Sequence, residues 1–345
     1  RYSSTSRGLG DVYKRQVLYN AYLQQLAQLH GVGDVTTKFT AAPSVAQTLE
    51  TRIQESSAFL SAINVFGVSE QSGEKIGIGI DGTIASTTDT TQKDREPRDP
   101  SGLDSRKYLC TQTNFDTGIR YQKLDQWAKF KDFQARIRDA IIKAQALNRI
   151  MIGWNGTSRA ETSNPATNPL LQDVNVGWLQ KMRLENAARV LHEVVGGSGK
   201  IEIGSGKDFE NIDALVVSMV NEFIEPWYQE DTELVVICGR QLLADKYFPI
   251  INKTQAPTEM LAADIVTSQK RIGNLPAVRV PHFPANGLLV TRLDNLSLYW
   301  QEGTRRRTVV DNAKRDRIEN FESVNESYVI EDLGCAAMAE NITLS

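Results

Sequence analysis

Histidine and cysteine are scarce in this 345-residue chain, with three of each. His30, His192 and His282 lie far apart, and none has a neighbour at ligand or triad spacing. That argues against imidazole catalysis and against a zinc site. Cys110, Cys238 and Cys335 are odd in number and scattered. Free thiols in a reducing compartment are therefore expected, not a disulfide framework. No apolar run approaches the roughly 18 residues that a membrane span requires. No basic stretch leading into an apolar core marks a secretory signal. A strong charge of one sign is missing too. The net charge is −3, whereas a dedicated nucleic-acid binder carries a basic patch or stripe. Residues 1–16, RYSSTSRGLGDVYKRQ, lack an initiator Met and any hydrophobic period, and are expected to be a foreign scar or artefact. They hold four basic residues and one acidic one, so setting them aside moves the net charge from −3 to −6.

What the chain does contain is a long amphipathic stretch, Lys123–Gly153. Apolar residues at Leu124, Trp127, Phe130, Phe133, Ile137, Ile141, Ala144, Leu147 and Met151 recur every three or four positions, which predicts one stripe on a helix. Asp125, Asp132 and Asp139 each precede a basic residue by four, the favourable order for helical pairs. Gly153 is read as the stop. About 31 residues at about 1.5 Å each predict a rod of roughly 45 Å.

Around this rod the chain alternates. Residues 17–30 read as a short amphipathic helix ended by Gly31 and Gly33, and 34–45 as a loose polar segment open to proteolysis. A further helix is expected near Val45–Ser61. KIGIGIDGTIAST alternates and holds Asp81-Gly82, a hairpin signal. A polar run follows, and then YLCTQTNFDTGIRY alternates again, so 65–122 reads as a two-stranded projection with a polar insertion. A loop is expected at 154–174, a helix at Val176–Val190, a hairpin at Leu191–Ile203 and a helix at 208–225. ELVVIC, PAVRVPHF and NGLLVT read as strands, as do LSLYW, RRRTVV and YVIED in the tail. Between Cys238 and Pro276, RQLLADKYFPII up to Pro249 and TEMLAADIVTSQ read as helices.

Candidate chemistry is thin. Gly77–Gly82 matches G-x-G-x-x-G, but the Thr-rich residues after it do not read as the helix a dinucleotide site needs. GSGK occurs at 197–200 and 204–207, and neither copy has the preceding Gly or following Ser/Thr of a phosphate loop. Glu230-Asp231 and Glu331-Asp332 sit among polar residues and read as solvated faces. Arg305, Arg306 and Arg307 form a compact basic tract, read as a solvated turn or as intersubunit contacts, with a phosphate contact as the functional alternative. From residues alone the chain is an α+β protein with extended parts that imply homo-oligomerisation. No catalytic, metal or cofactor site is expected.

Several stretches carry a family resemblance: YNAYLQQLAQL at 19–29, QESSAFLSAINV at 54–65, EKIGIGIDGTIASTTDT at 74–90 and NFDTGIRYQKLDQWAKFKDFQARIRDAIIK at 114–143. NPLLQDVNVGWLQK at 168–181, EPWYQEDTELVVICGRQLLADKYFPIINK at 225–253 and TSQKRIGNLPAVRVP at 267–281 continue it. Together with the tail they resemble the major capsid protein of P-two-like tailed phages, the peduoviruses, over essentially all of 17–345. The resemblance implies an α+β fold of the Hong Kong-ninety-seven-like viral capsid type. On that fold 17–39 is an N-terminal segment open to cleavage, 40–62 the N-arm and 63–122 the extended loop. The peripheral domain takes 123–207 with its spine helix at 123–153, the axial domain 208–295, and 296–345 returns to the peripheral domain. It implies a structural, non-enzymatic subunit forming hexamers and pentamers of an icosahedral shell around double-stranded DNA, touched only loosely. A scaffold with its maturation protease and a portal protein are the implied partners, with no membrane, and assembly in the bacterial host cytoplasm before residence in the virion. Phe39 and Thr40 are the candidate processing site. The extended loop is expected to lie over a neighbour and the arm to cross to an adjacent subunit. The alternatives are a non-viral compartment of the same fold and a nucleotide-dependent enzyme using 77–82.

Overall fold

The computed structural model describes residues 16–17, 19–28, 31–80, 85–95, 101–123, 133–239, 241–243, 246 and 270–344. Two mixed layers of sheet share one apolar core, and helices seal the faces.

The first sheet is organised by one 14-residue strand, Arg317–Ile330. Its first half pairs antiparallel with Arg306–Asn312 on one side and Thr117–Arg120 on the other. Its second half pairs with Leu296–Gln301 and Thr111–Asn114. Asn64–Val68 adds a parallel edge beside Leu296–Gln301, and Phe39–Thr40 adds a two-residue edge beside Arg306–Asn312. Successive side chains on a strand face opposite ways, so Asn320, Glu322, Val324, Glu326, Tyr328 and Ile330 all turn inward and are buried.

The second sheet runs in the order Arg271–Ile272, Leu275–Arg279, Val235–Cys238, Leu288–Thr291, Ala336–Ala339 and Val190–Leu191. Its central strands are covered on both faces, which is why Val235–Cys238 is apolar throughout. Val236, Cys238, Leu288 and Val290 meet Leu215, Val216 and Met219 of helix Ile212–Phe223. Asn211 caps that helix, its side chain accepting from the Ala214 amide at 2.9 Å. Ile237, Leu289 and Met338 face the other way, into the core shared with the first sheet. The second sheet also draws strands from outside 208–295. Residues 190–191 and 336–339 both belong to the second sheet, and Ile201–Ile203 pairs parallel with Ile342–Leu344. The expected hairpin over 191–203 does not form, because each end pairs with the C-terminal tail instead.

The spine helix runs Phe133–Asn155, about 35 Å at about 1.5 Å per residue. The expected start at 123–132 falls mostly outside the described residues. Gly153 does not stop it. The next turn is closed by the Gly156 amide donating to the Ile152 carbonyl at 2.7 Å. Gly153 is needed for closeness instead, since an added Cβ would meet the ring of Trp178 at 2.2 Å. Trp178 opens helix Trp178–Glu185. Its ring lies 4.9 Å from that of Trp154, 6.0 Å from Phe59 and 5.2 Å from Tyr328, and its indole N–H donates to the Ser297 carbonyl at 3.0 Å. This aromatic knot joins spine, arm and first sheet.

The expected helix at Val45–Ser61 is two helices, Pro43–Glu55 and Ala58–Ala62, broken at Ser56-Ser57. Ala46, Ile53, Phe59, Leu60 and Ile63 are buried in this subunit's own core. The inner faces of these two helices are thus packed on the chain's own core. The projection pairs Ser72–Ile80 with Ser101–Leu109 in a separate two-stranded sheet. Its second strand lies in the run read as polar insertion, whereas 111–114 and 117–120 belong to the first sheet. The Asp81-Gly82 turn lies outside the described residues, as do the two helices expected around Pro249 and Thr258 apart from 241–243 and 246.

Candidate functional site

The arginine tract splits three ways. Arg306 is exposed at the start of strand Arg306–Asn312, and Arg307 is partly buried, its Nε donating to Asn320 Oδ1 at 3.0 Å. Arg305 turns inward and is 1% exposed. It has no surface to offer a neighbouring subunit, which withdraws it as an intersubunit contact. The reason is electrostatic: its guanidinium donates to carboxylates of Glu50 and Glu322.

Those bonds belong to a larger buried network. Arg149, from the spine helix, donates Nη1 and Nη2 to the two oxygens of Glu50 at 2.7 and 3.0 Å. This is the bidentate geometry that suits a guanidinium fork. Arg149 Nε and Nη2 also reach Glu326 Oε1 at 2.8 and 2.5 Å, and its guanidinium carbon stands 5.8 Å from the ring centre of Phe115. Gln145, one helical turn earlier, donates to Glu322 Oε2 at 3.1 Å. Glu50, Arg149, Arg305, Glu322 and Glu326 are each 2% exposed or less. The arm helix supplies Glu50, the spine Gln145 and Arg149, the long strand Glu322 and Glu326, and the turn after Gln301 supplies Arg305.

Burial alone would raise every carboxyl here. For Glu50 the two flanking guanidiniums overcome it and hold the group down at about 2. Glu322 is also lowered, by Arg305 and Arg307 acting against its burial. Glu326 goes the other way: desolvation outweighs its share of Arg149 and raises it. Sequence reasoning missed all of these residues except Arg305. Gln145 and Arg149 are four apart and so share a helix face. That spacing was the available signal.

The other candidates are dispersed. Phe39 and Thr40 pair with Arg307 and Arg306 along the sheet edge, and the Ala41 amide donates to the Arg305 carbonyl at 2.9 Å. Gly77 and Gly79 lie within a strand. His282 is exposed in a turn whose carbonyl accepts from Asn155 Nδ2 at 2.9 Å. Burial pushes Cys110, Cys238 and Cys335 up to about 11 each, and all three are free. Among the described residues, no group of three or more His, Cys, Asp or Glu is placed to hold a metal ion. Among them too, no helix is long and apolar enough to cross a membrane.

The described residues thus form a clamped two-sheet body with a spine helix and a separate two-stranded projection. Comparison with known proteins makes this specific. Residues 18–342 match the family described as "Phage major capsid protein, P2 family". The chain is 57% identical over 332 residues to the "Capsid proteins" of Escherichia phage P2, covering 94% of this chain and 93% of that one. It is 40% identical over 335 residues to the "Major capsid protein" of Serratia phage KSP20, covering 95% and 96%. Among solved structures it is similar to a chain of the "Satellite phage P4 procapsid including size determination (Sid) protein". The TM-score is 0.81 and the identity 54%, with 96% and 98% covered. The chain belongs to the P2 family of phage major capsid proteins. It is a structural, non-enzymatic subunit of a phage capsid with the Hong Kong-ninety-seven-like α+β fold.

Proposed function

We propose that copies of this subunit assemble as hexamers and pentamers into a closed icosahedral shell around double-stranded DNA, with the projecting hairpin lying over a neighbouring subunit. The carrying observation is the hairpin itself. Ser72–Ile80 and Ser101–Leu109 form a sheet of their own, apart from the two main sheets. An isolated two-stranded hairpin is marginal in water, so a neighbour's surface is the natural support. Its root is closed by the Cys110 amide donating to the Gln71 carbonyl at 2.7 Å, and it is tied to the body by Arg106 Nη2 donating to the Glu331 carbonyl at 3.1 Å.

The scaffold, a maturation protease and a portal protein are the proposed partners, and the host cytoplasm the proposed site of assembly. Arg306 and Arg307 are proposed intersubunit contacts at the sheet edge. Cleavage between Phe39 and Thr40 is proposed as well. This bond lies on the two-residue edge strand, so the segment must peel from Arg306 and Arg307 before a protease can bind it. Mass spectrometry of the subunit from assembled shells reads this directly; an uncut chain there refutes it.

The hairpin is tested by trimming it in register. Lys75 pairs with Arg106, so joining them by a tight turn in place of 76–105 keeps the root. Expressed with the scaffold, the trimmed subunit is expected to fold and to give no closed shells by electron microscopy. Shells of normal form would refute the role.

A further inference from the structure

The buried cluster holds two guanidiniums, Arg149 and Arg305, against three carboxyls, Glu50, Glu322 and Glu326. The shares are unequal. Glu50 receives both arginines. Glu322 receives Arg305 and Gln145, with Arg307 Nε at 3.9 Å on its outer side. Among the described residues Glu326 receives only Arg149, and only on Oε1. Among them too, its buried Oε2 has no hydrogen-bond partner, and neither has the buried hydroxyl of Tyr328 two residues along the same face. Trp300 and Thr111 stand directly opposite Glu326 on the flanking strands and bring no charge. A carboxylate buried with one oxygen bare costs far more than a neutral acid, whose O–H can donate.

We propose that this cluster is a proton-dependent clasp, in which Glu326 carries a proton at neutral pH and its ionisation loosens the arm helix Pro43–Glu55 from the spine. With that proton the two fully buried guanidiniums, Arg149 and Arg305, face two carboxylates, Glu50 and Glu322, with Arg307 on the outer side of Glu322. Without it, the Glu326 carboxylate repels Glu50 and competes with it for Arg149, the guanidinium that Glu50 holds in two-pronged fashion. The proton passes to solvent base, and no other bond changes. The groups that face Glu326 are Glu50 from the arm helix, Arg149 from the spine, Arg305 from the turn, Glu322 and Tyr328 from its own strand, and Cys110 beyond the hairpin root. The thiol and phenol are themselves raised by burial and stay neutral through this range, so only the carboxyls titrate. Burial raises Glu326 in the folded chain. Stability from a raised group is fully present below its unfolded value and is lost as pH rises through the folded value. The clasp therefore weakens toward alkaline pH.

The clasp is a property of the subunit, and its test does not require shells. Infrared difference spectra of the full chain, wild type minus E326Q, are expected to show a protonated-carboxyl band at pH 7 that disappears as pH rises. Hydrogen exchange of the amides in 43–55, divided by the intrinsic rate, gives the arm-opening constant. It is expected to rise about tenfold per pH unit above the ordinary carboxylate range and to level off once Glu326 ionises in the closed state. In E326Q, which copies the neutral acid, that slope is expected to vanish. Absence of the band at pH 7 overturns the proposal, as does an unchanged slope in E326Q. Should E326Q fail to fold, the wild-type spectrum decides: a carboxyl band bleached in step with arm opening supports the clasp, and its absence overturns it.

Discussion

Replacing Gly153 with alanine sets two effects of known size against each other. In an ordinary helix interior, Gly→Ala gains about 1 kcal/mol from the backbone. Gly153 lies inside the spine helix, yet its Cβ would fall 2.2 Å from Cζ3 and 2.5 Å from Cε3 of Trp178. Trp178 is fully buried and cannot step aside cheaply. Withdrawing the ring would break its bond to the Ser297 carbonyl, leaving a buried donor unpaired at about 1–3 kcal/mol. It would also disturb stacking with Trp154, Phe59 and Tyr328, where each pair is worth about 0.5–1.5 kcal/mol. Keeping the ring in place forces the spine away from helix Trp178–Glu185, an overpacking cost of about 1–3 kcal/mol. An approach this close takes the overpacking cost to its upper end, about 3 kcal/mol, so after the propensity gain of about 1 a net loss of roughly 2 kcal/mol is expected. Urea denaturation of the full chain measures it as a lowered midpoint at unchanged slope. The control is the same substitution in a W178L background, where the steric conflict is gone and Gly153→Ala should be neutral or stabilising. A wild-type midpoint for G153A would refute the close-approach argument. An equal loss in both backgrounds would show that the cause is not the ring.

Two further outcomes separate the buried cluster from the surface. Arg305→Ala strips a cation from two buried carboxylates and is expected to cost about 3–5 kcal/mol, while Arg306→Ala, at an exposed side chain, should stay within about 0.5 kcal/mol; thermal melts of the pair decide. On the acid side the sign is fixed by Glu50, held at about 2 against an ordinary value near 4.5. Its contribution is complete above the ordinary carboxylate range and is lost as pH falls toward the folded value. The melting temperature should therefore drop steeply between about pH 5 and pH 2, and less steeply in E50Q; an equal slope in both would remove Glu50 from the account.

How much of this was legible depended on whether burial followed hydrophobicity. Helix Ile212–Phe223 and the strands ELVVIC and NGLLVT were readable because their buried faces are apolar. The spine was readable as a helix, but its buried face was misjudged. The apolar stripe through Ile141, Ala144, Leu147 and Met151 is the half-exposed flank or outward face, and the buried line instead runs through Ile142, Gln145, Ala146, Arg149 and Ile150. Asp139 pairs with its neighbour Arg138 at 3.1 Å rather than as the first member of a four-residue pair. Parallel pairing of Val190–Leu191 and Ile201–Ile203 with the tail was invisible locally, since their partners lie some 140 residues away in sequence.

The long strand shows why such errors are not a matter of finer pattern reading. In Asn-Phe-Glu-Ser-Val-Asn-Glu the alternation is plain, but hydrophobicity assigns the faces backwards at its centre: Phe321 is 44% exposed and Glu322 2%. On a strand a one-residue choice flips every side chain, so the two assignments compete as wholes. What decides between them is the pair of arginines that meets the inward glutamates, and these arrive from positions 149 and 305. Glu50 completes the set from a third element. Each of these residues alone would be an intolerable charge in the core, and each would then favour the solvent face. Their joint arrival stabilises the inward face, so the register of the strand and the seating of arm and spine support one another.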